Sequence, residues 1–426
     1  MNFSKEYNEK INETLFHGVT SSGLNVFVLP KKGFSKKYAV YAVNFGSCDI
    51  SYSVNGKKYR DPLGVAHFLE HKLFELPDGR NAFDLFANTG ASANAFTSHN
   101  MTAYLFSAAD KFSESLEILL SYVNDPYFTD ENVAKEQGII AQEIKMYDDD
   151  PEWRLFNDAL NCLYENNTVK DDIAGSVESI SHITKDVLYN TYNTFYRPEN
   201  MALFVIGDVD ENEVGALAEK YARPREKAEV IRDSYTEKDE VKSKYSEKKM
   251  DVSCDNFILS FKDNTPTLKG EELLIKNIET ALILKLMFSR SSKLYNDLYE
   301  NGIINSSFSY DTLHDEGYSC VMLGGEAKDV SKTVDALLKG IEDAKKNGFL
   351  EEDFERVKKS ALGRQIMAYN SIESVANSFC ANYFSGIGAF DFVSAFSKVT
   401  NESVHKRIFE IFGDNHAVSV IKPLEK

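Results

Sequence analysis

Apolar residues recur along this chain in short runs, and changes in their period mark out its elements. Residues 24–29 and 38–45 are near-continuous apolar runs rich in β-branched and aromatic residues, separated by Pro30-Lys31-Lys32-Gly33. They predict two buried strands joined by a turn. Residues 64–74 carry Leu and Phe at helical spacing, which predicts a helix. A short amphipathic helix is expected over 81–88, closed by Gly90. Residues 91–97 and 102–108 then read as a strand pair turning at Ser98-His99-Asn100. A helix over 112–123 ends at Asp125-Pro126, and a long one runs from an N-cap at Thr129 to about Tyr147, stopped by Asp148-Asp149-Asp150-Pro151. Residues 201–206 read as an apolar strand.

Residues 225–250 break this pattern. Glu, Lys and Asp dominate there, as in an exposed linker. Beyond it the order of elements repeats. Residues 116–123 followed by Phe128-Thr129-Asp130-Glu131 match 334–341 followed by Phe349-Leu350-Glu351-Glu352. Ile183-Thr184-Lys185-Asp186 before one strand likewise matches Val399-Thr400-Asn401-Glu402 before another. The offset is roughly 220 residues in both comparisons. The chain therefore reads as α+β, with two homologous halves, each a mainly antiparallel sheet packed on helices. The expected division is 1–224, a linker 225–250, and 251–426.

Composition narrows the class of function. The 66 acidic residues against 48 basic give a formal charge of −18, which argues against nucleic acid as a partner. The five cysteines are scattered without a CxxC pair, as buried thiols in a reducing compartment would be. The first residues show no signal-peptide core and no apolar run is long enough to span a bilayer, so a cytoplasmic protein with no membrane association is expected.

The chemistry concentrates in Gly64-Val65-Ala66-His67-Phe68-Leu69-Glu70-His71. On a helix, His67 and His71 are one turn apart on one face, where two neutral imidazoles can meet one tetrahedral metal ion, zinc before others. Glu70, three residues from His67, lies on that side within reach of a water on such an ion. The HxxEH order is the inverted zinc-protease motif. Glu136 and Glu143 share a face of the long helix two turns apart, and Glu143 lies amid Ile139, Ile140, Ala141 and Ile144. A carboxylate so placed should be paired, protonated or on a metal. The second half has no HxxEH. His99 reads as a solvated turn residue, and His182, His314, His405 and His416 as structural.

With these motifs, the chain resembles the insulinase/pitrilysin family of zinc peptidases, which includes the mitochondrial processing peptidases. The likeness extends to Asn94-Ala95-Phe96-Thr97 followed by Thr102 and Tyr104, to Ala141-Gln142-Glu143-Ile144-Lys145-Met146, to Gly175, and to Tyr196-Arg197-Pro198-Glu199-Asn200-Met201. The resemblance implies two processing-peptidase-like domains and one Zn2+ per chain on His67, His71 and Glu143. It makes Glu70 the residue that activates water and Glu136 its support in the catalytic site. It also implies that Asn94, Ala95, Phe96 and Thr97 form an edge strand to which a peptide or unfolded protein substrate adds as a further β-strand inside a closed chamber.

One departure stands out. Active members of the family it resembles usually carry an Arg and a Tyr in a later domain to bind substrate and stabilise the oxyanion, and Tyr299 and Asn305 stand at the corresponding positions here. This points to a dimer in which a paralogous partner supplies the pair. A second reading is a peptide-binding or assembly subunit that keeps a structural zinc and turns over little.

Overall fold

The two runs read as buried strands lie in one sheet of the computed structural model, which describes residues 1–265, 268–315 and 317–425. In chain order the first strands are β1 (Ser4–Asn8), β2 (Glu13–Val19), β3 (Asn25–Pro30), β4 (Lys37–Val43), β5 (Ser51–Val54) and β6 (Lys57–Arg60). They are followed by β7 (Ser92–Thr97), β8 (Thr102–Ala108), β9 (Met201–Gly207) and β10 (Val230–Arg232). A seven-stranded sheet has the order β1-β2-β3-β9-β4-β8-β7, antiparallel except where β3 meets β9. Every residue of β9 and all but the first of β4 are buried. Helices cover these central strands on both faces, which is why they read as unbroken apolar runs instead of alternating ones.

The helices of this half are α1 (Val65–Leu73), α2 (Ala82–Thr89), α3 (Phe112–Val123) and α4 (Asp130–Asp148). Two glycines fix where α1 begins. Gly64 at its N-cap has φ +88°, and a Cβ there would lie 2.3 Å from the Ala174 carbonyl oxygen. Gly175 has φ +76°, and its Cβ would lie 2.6 Å from the Leu63 oxygen. Each backbone approaches the other too closely for any side chain, and both conformations favour glycine. The start of the histidine-bearing helix is thereby pinned to the 172–180 segment.

The second half forms β11 (Tyr245–Met250), β12 (Asp255–Lys262), β13 (Ser309–Asp315), β14 (Tyr318–Ala327) and β15 (His416–Pro423). Their sheet runs β11-β15-β12-β14-β13, again antiparallel apart from one pair, β11 with β15. The charged stretch 225–250 holds two short strands, β10 against β5 and β11 on the sheet edge. In β11, Tyr-Ser-Glu-Lys-Lys-Met, exposed and half-buried positions alternate. Charged side chains are well tolerated on an edge strand, so composition alone hides it.

Compactness groups the chain into two units. One comprises Met1–Ile144, Asp172–Asp233 and Met367–Phe384; the other comprises Lys145–Asp171, Ser234–Ile366 and Ser385–Lys426. The helix Ile372–Tyr383 thus belongs with the first sheet, where Phe379 packs 4.7 Å from Phe27 and 4.6 Å from Phe204, centroid to centroid. Reciprocally, helix Pro151–Leu163 packs on β12 and β15 of the second sheet. Among the described residues no helix is long and apolar enough to cross a membrane.

The second unit is locked by a buried ion pair. Arg407 and Asp263 are 2% and 1% exposed, and the guanidinium also donates to Thr265 at 2.8 Å and Glu410 at 3.0 Å. Burial alone would raise the Asp263 carboxyl pKa, but Arg407, Thr265 and Ser319 outweigh it and hold that pKa below the ordinary value. With the folded pKa depressed, this contribution is complete above about pH 4 and fades as acid titrates the folded carboxylate. Removing one partner of such a pair costs about 3–5 kcal/mol. Arg407→Met should therefore lower the unfolding free energy by about that much at pH 7 and by clearly less at pH 3, where the orphaned carboxyl is protonated. Denaturant titration at the two pH values measures both.

Candidate active site

The two histidines sit where helical spacing predicts, on one face of α1 with ring centroids 4.5 Å apart. The helix is anchored by Val65, Ala66, Phe68, Leu69 and Leu73, all buried in the core. α4 supplies the carboxylates. It starts at a reciprocal cap, in which Thr129 and Asn132 each bind the other's backbone N–H through their side chains, at 3.1 and 2.9 Å. Val133, Ile140 and Ile144 bury its inner face, and Gln137 donates to the carbonyls of Ile180 and Ile183, tying the helix to that segment. Glu136 and Glu143 are thereby turned toward the histidines. Glu143 is half-buried, as its apolar surroundings in the sequence suggest, although Ile139 is itself 47% exposed.

Glu143 meets both imidazoles. One oxygen is 3.8 Å from His67 Nε2 and the other 3.5 Å from His71 Nε2. One donor atom from each of the three residues lies within 4.8 Å of the others. Donors about 2.0–2.2 Å from one tetrahedral ion stand about 3.3–3.6 Å apart, so a small closure would bring this set onto zinc. Two imidazole nitrogens and a carboxylate are a donor set that catalytic zinc centres use.

Electrostatics suit the same role. Burial, assisted by neighbouring His71, pushes the His67 imidazole pKa down to about 3, leaving it neutral with a lone pair to donate. Burial also opposes charge on His71, but the hydrogen bond to Glu136 and the carboxylates of Glu70, Glu136 and Glu143 prevail and raise its pKa. Its Nδ1 lies 3.2 Å from Glu136 Oε1, so an N–H there donates to the carboxylate and leaves Nε2 facing Glu143. His67 has no matching brace, since its buried Nδ1 finds no partner among the described residues.

Glu70 is not part of the ligand triangle. It is 9% exposed, and the Thr97 hydroxyl donates to its Oε2 at 2.7 Å. Burial raises its pKa and the Thr97 hydrogen bond partly offsets that. Thr97 ends β7, the edge strand of the sheet, which also carries Asn94, Ala95 and Phe96. The Ala95 N–H is covered by Asn94 Oδ1 at 2.9 Å.

The structure therefore gathers His67, His71, Glu70, Glu136, Glu143 and Thr97 in one place. Tyr299 and Asn305, in the second unit, do other work. Tyr299 is half exposed and stacks on Tyr295 at 5.9 Å, while Asn305 donates to Glu326 at 2.9 Å and accepts from the Ser307 backbone. His99 departs from the solvated turn residue expected of it. It is 8% exposed, and burial lowers its pKa to about 4. The cause is the turn itself, which is sewn to the 47–48 backbone by bonds from Ser47 N to Ser98 O and Cys48 N to His99 O. Lys72 escaped the sequence reading altogether. It is fully buried and bonds Glu75 and Glu136. Its signal was a lysine where Phe68 and Leu69, one turn earlier, are both core residues.

Residues 57–177 match the model of insulinase, peptidase family M16, and residues 182–361 match that of the peptidase M16 inactive domain. A protein described as "uncharacterized zinc protease YmfH" from Bacillus subtilis (strain 168) is 41% identical over 421 residues, covering 97% of this chain and 98% of its own. The chain belongs to the insulinase family, M16. An M16-like peptidase from Alicyclobacillus acidocaldarius superposes with TM-score 0.92 at 29% identity, covering 100% of this chain and 99% of that one. The first half of the periplasmic protease PqqL from Escherichia coli shares the fold, with TM-score 0.76 at 17% identity over 99% of this chain and 94% of that one. The M16 fold, a mainly antiparallel α+β unit present twice, is thus that of the whole chain. The part matched by the inactive-domain model includes Tyr299 and Asn305 and lacks HxxEH.

If these three residues are the ligands, Glu143→Ala and His67→Ala should each reduce bound zinc from about one per chain to a small fraction after dialysis, as metal analysis reads. Because the His71 proton must leave before metal enters and its pKa is raised, apparent zinc affinity should fall about tenfold per pH unit below that raised value.

Proposed function

We propose that this M16 chain is a zinc-dependent endopeptidase that hydrolyses peptides or unfolded segments laid along β7 as an added strand. The observation that carries the reading is Glu70: a buried carboxylate beside the ligand triangle but outside it, steadied by a hydroxyl from the edge strand. A metal centre serving structure alone has no use for such a base. Zinc on His67, His71 and Glu143 would supply Lewis-acid polarisation of the scissile carbonyl and a water acidified to a pKa of about 7. Glu70 takes the proton of the attacking water on its carboxylate and later hands it to the departing amine. Edge-strand N–H and C=O groups of β7 hold the peptide through its main chain, which gives affinity with little dependence on sequence. Thr97 joins the two functions, because the residue closing that strand also aims the base.

The oxyanion side of the reaction is supplied from elsewhere in this reading. Asn305 is engaged by Glu326 and Ser307, and Tyr299 is a tyrosine where the family has arginine. We assign that role to a paralogous partner chain carrying Arg and Tyr, the pair closing a chamber around the substrate. The five cysteines, none of them in a disulfide, support a cytoplasmic setting. The competing reading, a peptide-binding or assembly subunit with little turnover, draws on the same two substitutions.

Glu70→Gln separates the two. The variant should keep its zinc while peptide cleavage falls by about 10²–10⁴-fold; unchanged biological function in it would favour the binding role. Thr97→Val removes a donor to the ionised form of Glu70, so the acid limb of the kcat/KM profile should move to higher pH. Adding a paralogue that lacks HxxEH but carries Arg and Tyr should raise cleavage by about 10²–10³-fold, the usual value of an oxyanion donor. Full activity of the isolated chain would remove the partner from the scheme.

A further inference from the structure

Lys72 stands in an unexpected place. It follows His71 directly, is 0% exposed, and carries a positive charge beside a set of donors suited to a dication. Two like charges at such range repel, and a buried ammonium is costly unless it is paired. A residue that only filled space here would be apolar, as Phe68, Leu69 and Leu73 around it are; methionine has nearly the same shape without the charge.

The compensation is Glu136. Its Oε2 lies 3.4 Å from Lys72 Nζ, and its Oε1 lies 3.2 Å from His71 Nδ1. One carboxylate is therefore held from two sides by neighbouring residues of α1. Lys72 also bonds Glu75, so its ammonium has a second fixed point and cannot follow Glu136 if that side chain turns. Without it, Glu136 would keep one bond, to an imidazole that can donate from either nitrogen. His67 offers no substitute, because its own Nδ1 has no partner among the described residues.

We propose that Lys72 is a positioning residue of the metal centre: through Glu136 it fixes the ring and tautomer of His71, keeping Nδ1 as the donor and Nε2 directed at Glu143. The inference rests on reading His67, His71 and Glu143 as a zinc centre, and goes beyond it by making one ligand's orientation depend on a buried cation. The charges also favour the arrangement. Glu70, Glu75, Glu136 and Glu143 put four carboxylates around α1, and Lys72 offsets one of them without competing for the donor atoms, since Glu136 stands between.

The test measures zinc affinity directly, by competition with a chromogenic chelator, in the full chain and its Lys72→Met, Glu136→Gln and doubly substituted forms. Apoprotein unfolding midpoints are recorded in parallel. Each single substitution should weaken zinc binding about 10–100-fold, the usual effect of losing a partner that orients a ligand. The double variant should be no more than about threefold weaker than the weaker single one, because both cut the same relay. Wild-type zinc affinity in Lys72→Met, whatever happens to its midpoint, overturns the proposal, and so do losses that multiply in the double variant. Should Lys72→Met fail to fold, Lys72→Gln keeps a donor without the charge and is judged by the same criterion. A wild-type chain that takes up no zinc would overturn the reading of the ligands themselves, and the wild-type arm alone reports that.

Discussion

The site depends on how a crowd of negative groups is neutralised where water is scarce. Two helices bring Glu70, Glu136 and Glu143 against His67 and His71, and desolvation disfavours charge on Glu70, Glu136 and both imidazoles. Left to protein groups alone, the cluster answers by drawing a proton toward His71. A dication between Glu143 and the two imidazoles answers the same demand more fully, since it meets all three donors together. The apoprotein cluster is thus under-neutralised in the sense that favours metal uptake, and the same burial raises the pKa of Glu70 toward the range useful for taking and returning a proton.

What fixes the geometry is mostly packing remote from the charges. The reciprocal close approach of Gly64 to Ala174 and of Gly175 to Leu63 sets the start of α1. Gln137, bonded to carbonyls of the 180–183 segment, sets the register of α4 against it. Both anchors use the same stretch of chain, so the helix bearing the histidines and the helix bearing the carboxylates are positioned against a common reference. A slip of one residue in α4 would rotate Glu143 by about 100° away from His67 and His71. Precision of this kind is needed for a centre whose donors must converge within a few tenths of an ångström.

How much of this could be read from residues alone followed how local each feature is. His67, Glu70 and His71 lie on one helix, where spacing alone decides which face they share, and the sequence reading placed them together. Glu143 could be narrowed only to a carboxylate needing a partner, because its role depends on α4 returning over α1, a contact that no local period encodes. His99 was misjudged for a similar reason. Turn composition describes the turn, and its burial is decided by backbone bonds from residues about 50 positions earlier. The short strands β10 and β11 were hidden by charge, which an edge strand accepts. Lys72 was visible as a breach of an apolar face and was passed over, although a lysine at a core position of a helix already suspected of chemistry is the kind of local inconsistency that marks a functional site.

The repeat adds a last step. The two halves share an order of strands and helices, and each sheet is covered by a helix from the other half of the sequence: Pro151–Leu163 lies on the second, Ile372–Tyr383 on the first. These two helices are about 220 residues apart, the same offset as the repeat, so the exchange is itself symmetric. Their use of buried charge is not. In the second unit Asp263 is met by Arg407, Thr265 and Ser319, so that its carboxylate is well supplied with donors and the arrangement serves stability. In the first, carboxylates outnumber cations and one ligand histidine keeps an unpartnered nitrogen. One framework thus carries unpartnered polar atoms in both copies, His314 Nε2 in the second as well as His67 Nδ1 in the first, and what distinguishes the first is its triangle of His67, His71 and Glu143. Among the described residues, only that triangle gives a metal ion three donors to meet at once.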